Sequence, residues 1–514
     1  MSHALQLDGA SLTIDQVVSA ARDPSISITL DPAALAALGQ SRAQIERAID
    51  EGRTIYGVNT GFGKLANVCI ATDQLDDLQV NLIRSHAAGV GDLLPREVVR
   101  AVMVLRANVL LRPTSGVRPQ LVEAVVALLN HDILPAVPEQ GSVGASGDLA
   151  PLSHIAQVVM GEGEVLIHDG GREAGGAALA RAGIAPVHFA PKEGLSFING
   201  TQAQTAMLSL LVHDAGVLWR TALASAAMSL EALRGTPTPF DPRIHAARPH
   251  QGQRLAAEHL LAMLDDSEIR ASHLDDDPRV QDAYSLRCLP QVMGAVREAI
   301  DYAERVCRIE LNASTDNPLV FDNGDVLSGG NFHGQPVAQA LDFMAIALTT
   351  LQAMTERRIE RLVNPDLSHG LPAFLIENPG LRSGYMMVQI TAAALVAESR
   401  TLTVPASVGS IPTDANQEDF VPMGMAAAFK AARVLRNAQR VVAAEVLCAV
   451  QGIELLRPLS PGRGIRWLAQ RVRHPEGPAI APLTEDRPPA PDLERLAQAV
   501  AAGELDPEEF LQSG

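Results

Sequence analysis

The chain is expected to be mainly α-helical, with an N-terminal mixed α/β head carrying a glycine-rich loop and a long-helix bundle after it. Three observations predict this. Hydrophobic residues make up 47% of the 514 residues and aromatics only 3%, so the core is built mostly from Ala, Leu, Val and Ile, which suits close-packed helices better than a β-sandwich. Apolar segments at 201–234, 281–311, 335–363, 380–400 and 423–456 are much longer than the globular average for a helix. The first 197 residues, by contrast, mix short strand-like and helical stretches with glycine-rich loops. The expected division is therefore an N-terminal domain, 1–197, and a helical bundle, 198–514.

In chain order, Ser11-Leu12-Thr13-Ile14-Asp15 reads as a short strand, and Asp31 and Ser41 as caps of the helices that follow. Ile55 to Lys64 holds Gly57, Gly61 and Gly63 and reads as a loop. Tyr56 is one of four tyrosines in the chain and is unusual packing material in such a loop; loops on a rigid scaffold are where catalytic side chains tend to lie. Arg96 to Arg112 reads as an apolar helix stopped by Pro113, and a second helix runs from Arg118-Pro119 to His131. Ile133 to Pro138 leads into a glycine-rich run, and Val165-Leu166-Ile167-His168 with Asp169-Gly170-Gly171 reads as a hairpin-like excursion. Segment 201–234 could be mistaken for a membrane span, but His213, Asp214 and Arg220 interrupt it, so a core helix is the better reading. The tail from Pro458 is Pro- and Arg-rich, then helical between Pro491 and Gly503.

A formal charge of −18 argues against nucleic acid or an anionic membrane as partner, since both need a basic face. Cys69, Cys288, Cys307 and Cys448 are scattered with no CxxC pair, so neither a disulfide frame nor a metal site is expected and reduced thiols of a cytoplasmic enzyme fit. The N-terminus has no basic start followed by an apolar stretch, and nothing points to export. Lys64, Lys192 and Lys430 are the only lysines and none adjoins a Gly/Ser-rich phosphate cradle, which argues against pyridoxal phosphate. No P-loop or Rossmann fingerprint is present.

The run from Gly141 to His154 carries the chemistry. In Ala145-Ser146-Gly147 two small residues flank a serine, and Gly141, Gly144 and Gly147 relax the steric limits on the backbone. If the Gly147 amide nitrogen reaches the Ala145 carbonyl carbon, a five-membered ring closes with loss of water. Loss of the Ser146 hydroxyl as a second water leaves a 4-methylideneimidazol-5-one, an electrophile made from the chain itself. Asp148 and Pro151 suit the start of a helix, whose N-terminal partial charge would favour electron flow into the ring. As Ala-Ser-Gly alone, the stretch would be an ordinary turn.

The whole run resembles the signature of the aromatic amino acid ammonia-lyase family, and the resemblance continues from Tyr56 to at least Met423. It implies the autocatalytic methylideneimidazolone with no external cofactor, an amino acid substrate, and a homotetramer whose active sites draw on more than one chain. Ala-rich helices with more apolar surface than one chain can bury supply a physical motive for that assembly. The family's loop tyrosine, thought to take the β-proton, matches Tyr56. Val280 to Cys288 is similar to the family's second strong motif, with Tyr284 beside the electrophile and Arg287 as carboxylate anchor, a two-point fork that Lys cannot match. Asn199 matches the asparagine that hydrogen-bonds near the ring, and Phe332, in Gly329 to Gly334, the position packed beside it. His333 reads as structural.

Within the family, Ser85-His86, Asn416-Gln417-Glu418-Asp419 and Met386 resemble the histidine branch, in which the glutamate faces an imidazole; a carboxylate can pair with an imidazole N–H or an imidazolium. This implies elimination of ammonia from L-histidine to give trans-urocanate. Phe420 and Pro422 stand where that branch commonly has His and Ser, and Leu289 replaces a usual Gln. A lyase or 2,3-aminomutase acting on phenylalanine, tyrosine or ergothioneine stays open at this point. So does a scaffold homologue without chemistry, although such a chain would have no physical need for Ala145-Ser146-Gly147, Tyr56, Asn199 and Arg287 together.

Overall fold

The computed structural model describes residues 4–167, 170–275 and 277–513; helices dominate it and the strands are short. By packing, the chain divides into two compact units. Unit 1 comprises Met1–His213, Ala303–Asp342 and Pro405–Phe429, and unit 2 comprises Asp214–Tyr302, Phe343–Val404 and Lys430–Gly514. Neither coincides with the contiguous division at 197/198. Four of the five boundaries fall within the helices Gln202–Ala232, Leu289–Glu310, Gln335–Val363 and Gly424–Leu455, and the fifth falls in the loop after Met386–Thr401; apolar periodicity marks a helix without saying which part of it packs against what.

In unit 1, strands Ala4–Leu7 and Ser27–Leu30 pair in parallel, with helix Ile14–Arg22 between them in sequence. The strand expected at Ser11–Asp15 is absent, because Thr13 and Gln16 form a reciprocal capping box that starts this helix at Ile14. Asp31 does cap helix Pro32–Asp50, accepting from Ala34 N at 2.8 Å. Ser41 does not cap: it sits inside that helix and its hydroxyl donates to Leu38 O. Helices Arg96–Leu110 and Pro119–Asn130 lie where expected. Hairpin Glu164–Leu166 with Arg172–Ala174 is antiparallel and is joined by Leu134–Pro135; His168 and Asp169, quoted for its tip, lie outside the described residues.

Unit 2 is helical among its described residues. Helices Gln251–Leu264 and Leu289–Glu310 meet backbone to backbone, since a Cβ on Gly252 would lie 2.4 Å from Gly294 O. Arg358 and Glu445 form a fully buried two-point pair at 2.5 and 2.9 Å, and the Ser229 hydroxyl donates to the same carboxylate at 2.8 Å. Breaking such a pair costs more than forming it gains. The segment expected as one helix over 281–311 is a short turn, Tyr284–Arg287, followed by Leu289–Glu310. In the tail, helix Ala490–Ala501 matches its expected place, while Arg463–Arg473 hid in the Pro- and Arg-rich stretch. Among the described residues one helix, Gln335–Val363, is long and apolar enough to cross a membrane, and 67% of its most apolar window is buried in the protein. Gln202–Ala232 falls short of that measure and is a core helix.

Candidate active site

The glycine-rich run folds tightly before helix Leu149–Val159. Ser146 adopts φ 53°, a left-handed conformation that costs a non-glycine residue energy and is held only by its surroundings. Three contacts hold it. Asn199 Nδ2 donates to Ser146 O at 2.7 Å, the Ser146 hydroxyl donates to Glu418 Oε1 at 2.5 Å, and Asp148 N donates to Gly200 O at 2.7 Å. Gly147, at φ 78°, lies so close to Gly200 that a Cβ would sit 2.2 Å from Gly200 O, so this position accepts only glycine. Asp148 occupies the N-cap position, yet its carboxylate makes no cap bond. It accepts instead from the Ser142 hydroxyl at 2.8 Å and Gln204 N at 2.9 Å. Complete burial pushes it up to about 6 from 3.8. The run is also clamped by Gly334 N to Gly144 O and by Met423 N to Val143 O.

Beside Ser146 opens a cavity of about 610 Å³ lined within unit 1. Leu65, Val68, Ile70, Leu78, Leu82 and Leu195 make it largely apolar, while Tyr56, His86, Ser146, Asn199 and Glu418 supply polar groups. An apolar cavity with a few convergent polar groups is the usual form of a small-molecule site. A second cavity, about 350 Å³, shares Tyr56, Ser146 and Glu418 and adds Ala145, Phe332, His333 and Phe420.

The Tyr56 hydroxyl accepts from Gly63 N at 3.1 Å. Burial raises the phenol above its usual range, the Gly63 N–H opposes this, and the Asp414 and Glu418 charges add to it. His86 Nδ1 lies 2.9 Å from Leu82 O and 3.0 Å from the Ser85 hydroxyl; the carbonyl can only accept, which favours the proton on Nδ1 and leaves Nε2 as the acceptor of the neutral ring. Burial holds His86 below the ordinary histidine range and favours that neutral form. Glu418 Oε2 accepts from the Thr413 hydroxyl at 2.7 Å.

Six of the residues singled out in the sequence thus gather in unit 1 around Ser146: Tyr56, His86, Ala145, Asn199, Phe332 and Glu418. Gly147 completes the loop beside them. Tyr284, Arg287 and Met386 belong to unit 2 and line neither cavity. Tyr284 is exposed, and the Arg287 guanidinium lies 4.6 Å over its ring. Two of the three departures make contacts beside the site. Phe420 stacks on His333, with His333 Nε2 3.1 Å from Phe420 O, and Pro422 packs over Gly144, where a Cβ would come within 3.0 Å of it. Asp414, which lines both cavities, was missed in the sequence; the signal for it was weak, an Asp two residues before the Asn416 that opens the quoted motif, a pairing that suits a turn.

The aromatic amino acid lyase family matches residues 12–474. Histidine ammonia-lyase of Gloeobacter violaceus is 50% identical over 98% of this chain and 96% of its own length. That of Symbiobacterium thermophilum is also 50% identical, over 97% of this chain and 96% of its own. Among solved structures, histidine ammonia-lyase from Trypanosoma cruzi superposes with TM-score 0.90 at 41% identity, covering 99% of this chain and 95% of that one. Tyrosine aminomutase from Streptomyces globisporus gives 0.92 at 38%, covering 98% and 97%. With a family match of that extent and relatives half identical along almost their whole length, the chain belongs to the aromatic amino acid lyase family.

Proposed function

We propose that the chain eliminates ammonia from L-histidine to give trans-urocanate. The observation that carries this reading is the convergence of Tyr56, His86, Ser146, Asn199 and Glu418 on one largely apolar cavity. The half-identical histidine ammonia-lyases support the same substrate.

Ala145-Ser146-Gly147 fits the methylideneimidazolone: Ser146 is held at φ 53°, Gly147 has no room for a Cβ, and Asn199 binds the Ser146 carbonyl oxygen that the ring would retain. That group supplies an electrophile that draws electron density from the substrate. Every other function falls to side chains. Tyr56 takes the β-proton; a phenol with a raised pKa is a strong base once ionised. Glu418 and His86 read the imidazole. Loss of the Ser146 hydroxyl removes the donor that Oε1 holds at 2.5 Å and frees that oxygen for an imidazole N–H, while His86 Nε2 offers a second acceptor. Phe332 would pack beside the ring, and Met386, which lines neither cavity of its own chain, would reach the pocket from another copy.

Arg287 binds the substrate carboxylate and Tyr284 lies near the electrophile, both supplied by another copy in a cytoplasmic homotetramer. One feature supports this sharing: Leu381, Met387, Ile390 and Val404 are exposed in unit 2. The test is a spectrophotometric assay of purified protein against histidine, phenylalanine, tyrosine and ergothioneine, with products identified by mass. Faster turnover of any other substrate than of histidine would overturn the assignment, and a β-amino acid product would move it to an aminomutase.

A further inference from the structure

The carboxylate of Asp414 touches the loop that carries Tyr56. Asp414 Oδ2 accepts from Lys64 N at 2.9 Å, at the start of the single turn Gly63–Leu65, whose own N-cap residue Phe62 provides no side-chain acceptor. One residue earlier, Gly63 N donates to the Tyr56 hydroxyl at 3.1 Å. Gly63 sits at φ 52°, and a Cβ there would lie 1.9 Å from Asp414 Oδ2. The carboxylate is therefore packed against the very residue that holds the phenol.

The segment on the other side is built to present it. Asp414, Ala415 and Asn416 have φ of 48°, 51° and 66°, a left-handed run that only a closed turn sustains. Asn416 N to Thr413 O and Gln417 N to Asp414 O close that turn. Four residues after Asp414, Glu418 bonds the Ser146 hydroxyl, so one short segment grips both loops of the cavity. The stem of the Tyr56 loop is tied to itself by Gly61 N to Val68 O and Ile70 N to Asn59 O, whereas its tip at Gly63–Leu65 meets Asp414.

We propose that Asp414 is a positioning residue: it caps the turn Gly63–Leu65 from outside and so holds the Tyr56 hydroxyl over the cavity. This rests on the reading of Tyr56 as the base. The geometry of the latch can be read without any reaction, because the chain has three lysines, Lys64, Lys192 and Lys430, and a lysine-specific endoproteinase reports on each. Lys192 is fully buried and serves with Lys430 as an internal control of folding.

In Asp414→Ala, cleavage after Lys64 should accelerate about tenfold, the effect of losing one charge-assisted hydrogen bond on a local opening equilibrium. Cleavage at the other two lysines should not change, and kcat on histidine should fall more than KM rises. Asp414→Asn keeps a carbonyl acceptor for Lys64 N and should restore protection and kcat to within about threefold of wild type. Equal cleavage after Lys64 in wild type and Asp414→Ala overturns the proposal whatever the activity, and so does an Asn variant as open as the Ala variant. A wild-type protein inactive on histidine would instead count against the functional reading and leave the cleavage comparison intact.

Discussion

Glu418→Gln tests the substrate assignment at its centre. The carboxylate accepts two hydroxyl donors, Ser146 at Oε1 and Thr413 at Oε2, at 2.5 and 2.7 Å. An amide of the same shape keeps one oxygen. If that oxygen stays with Thr413, an NH₂ donor faces the place where Oε1 stood, and the imidazole N–H meets another donor. A hydrogen bond to an ionised acceptor contributes about 1.5–3 kcal/mol, so kcat/KM for histidine should fall between about tenfold and a hundredfold. Phenylalanine has no N–H to lose, and its residual turnover should change by less than about threefold. The ratio of the two efficiencies is the informative quantity, read from urocanate and cinnamate absorbance under initial-rate conditions. Intact mass must accompany it, since a variant that fails to lose two waters would be slow on every substrate. An equal fall for both substrates in a fully dehydrated variant, or no fall for histidine, would refute the reading of Glu418 as imidazole acceptor.

Ser146→Ala should show the full sequence mass and no near-ultraviolet absorbance from a methylidene ring, where the wild type is lighter by two waters; a wild type of full sequence mass that is nonetheless active would remove the ring from the mechanism. Arg287→Lys keeps the charge but loses the planar fork, and kcat/KM should drop by about tenfold or more with an unchanged melting temperature; near-normal efficiency would take Arg287 out of carboxylate binding. Asp148 gives a pH prediction. Its native pKa is raised from 3.8 to about 6 by burial, so the native state holds the proton more tightly than the unfolded chain, and the resulting stabilisation is complete below pH 3.8 and lost as pH rises through 6. Between pH 5 and pH 8 that loss is about 1.4 kcal/mol, and urea unfolding of Asp148→Asn should lack this part of the wild-type slope; identical slopes would show that Asp148 does not titrate there.

The cavity suits the proposed role of Tyr56 as base. Its apolar wall and the neighbouring Asp414 and Glu418 keep Tyr56 a phenol in the free protein, and a positively charged ammonium group entering the cavity would offset the two carboxylates and favour the phenolate. On that proposal substrate binding would prepare the base, while the Gly63 N–H can donate to either form of the oxygen.

Much about this protein is local and could be read in one dimension. The turn at Ser146 needs glycine at Gly147 and a small neighbour, both written in consecutive residues, and the long helices announce themselves by apolar runs ending at Pro113 or starting near Gln202, Gln335 and Gly424. Asp31 as a cap is equally local. Where two local signals compete, reading fails: Thr13 and Gln16 make a capping box that outweighs the strand-like run Ser11–Asp15, and Ser41 starts no helix of its own because the residues on both sides of it belong to Pro32–Asp50. Only tertiary structure decided the rest. The contact of Asp414 with Lys64 spans 350 residues of sequence and that of Ser146 with Glu418 spans 272, and no periodicity encodes which loop will stand opposite another. The buried state of Asp148, the tautomer of His86 and the contiguity of 303–342 and 405–429 with the N-terminal residues likewise arise when distant segments exclude water together, because burial belongs to an assembled environment rather than to a residue.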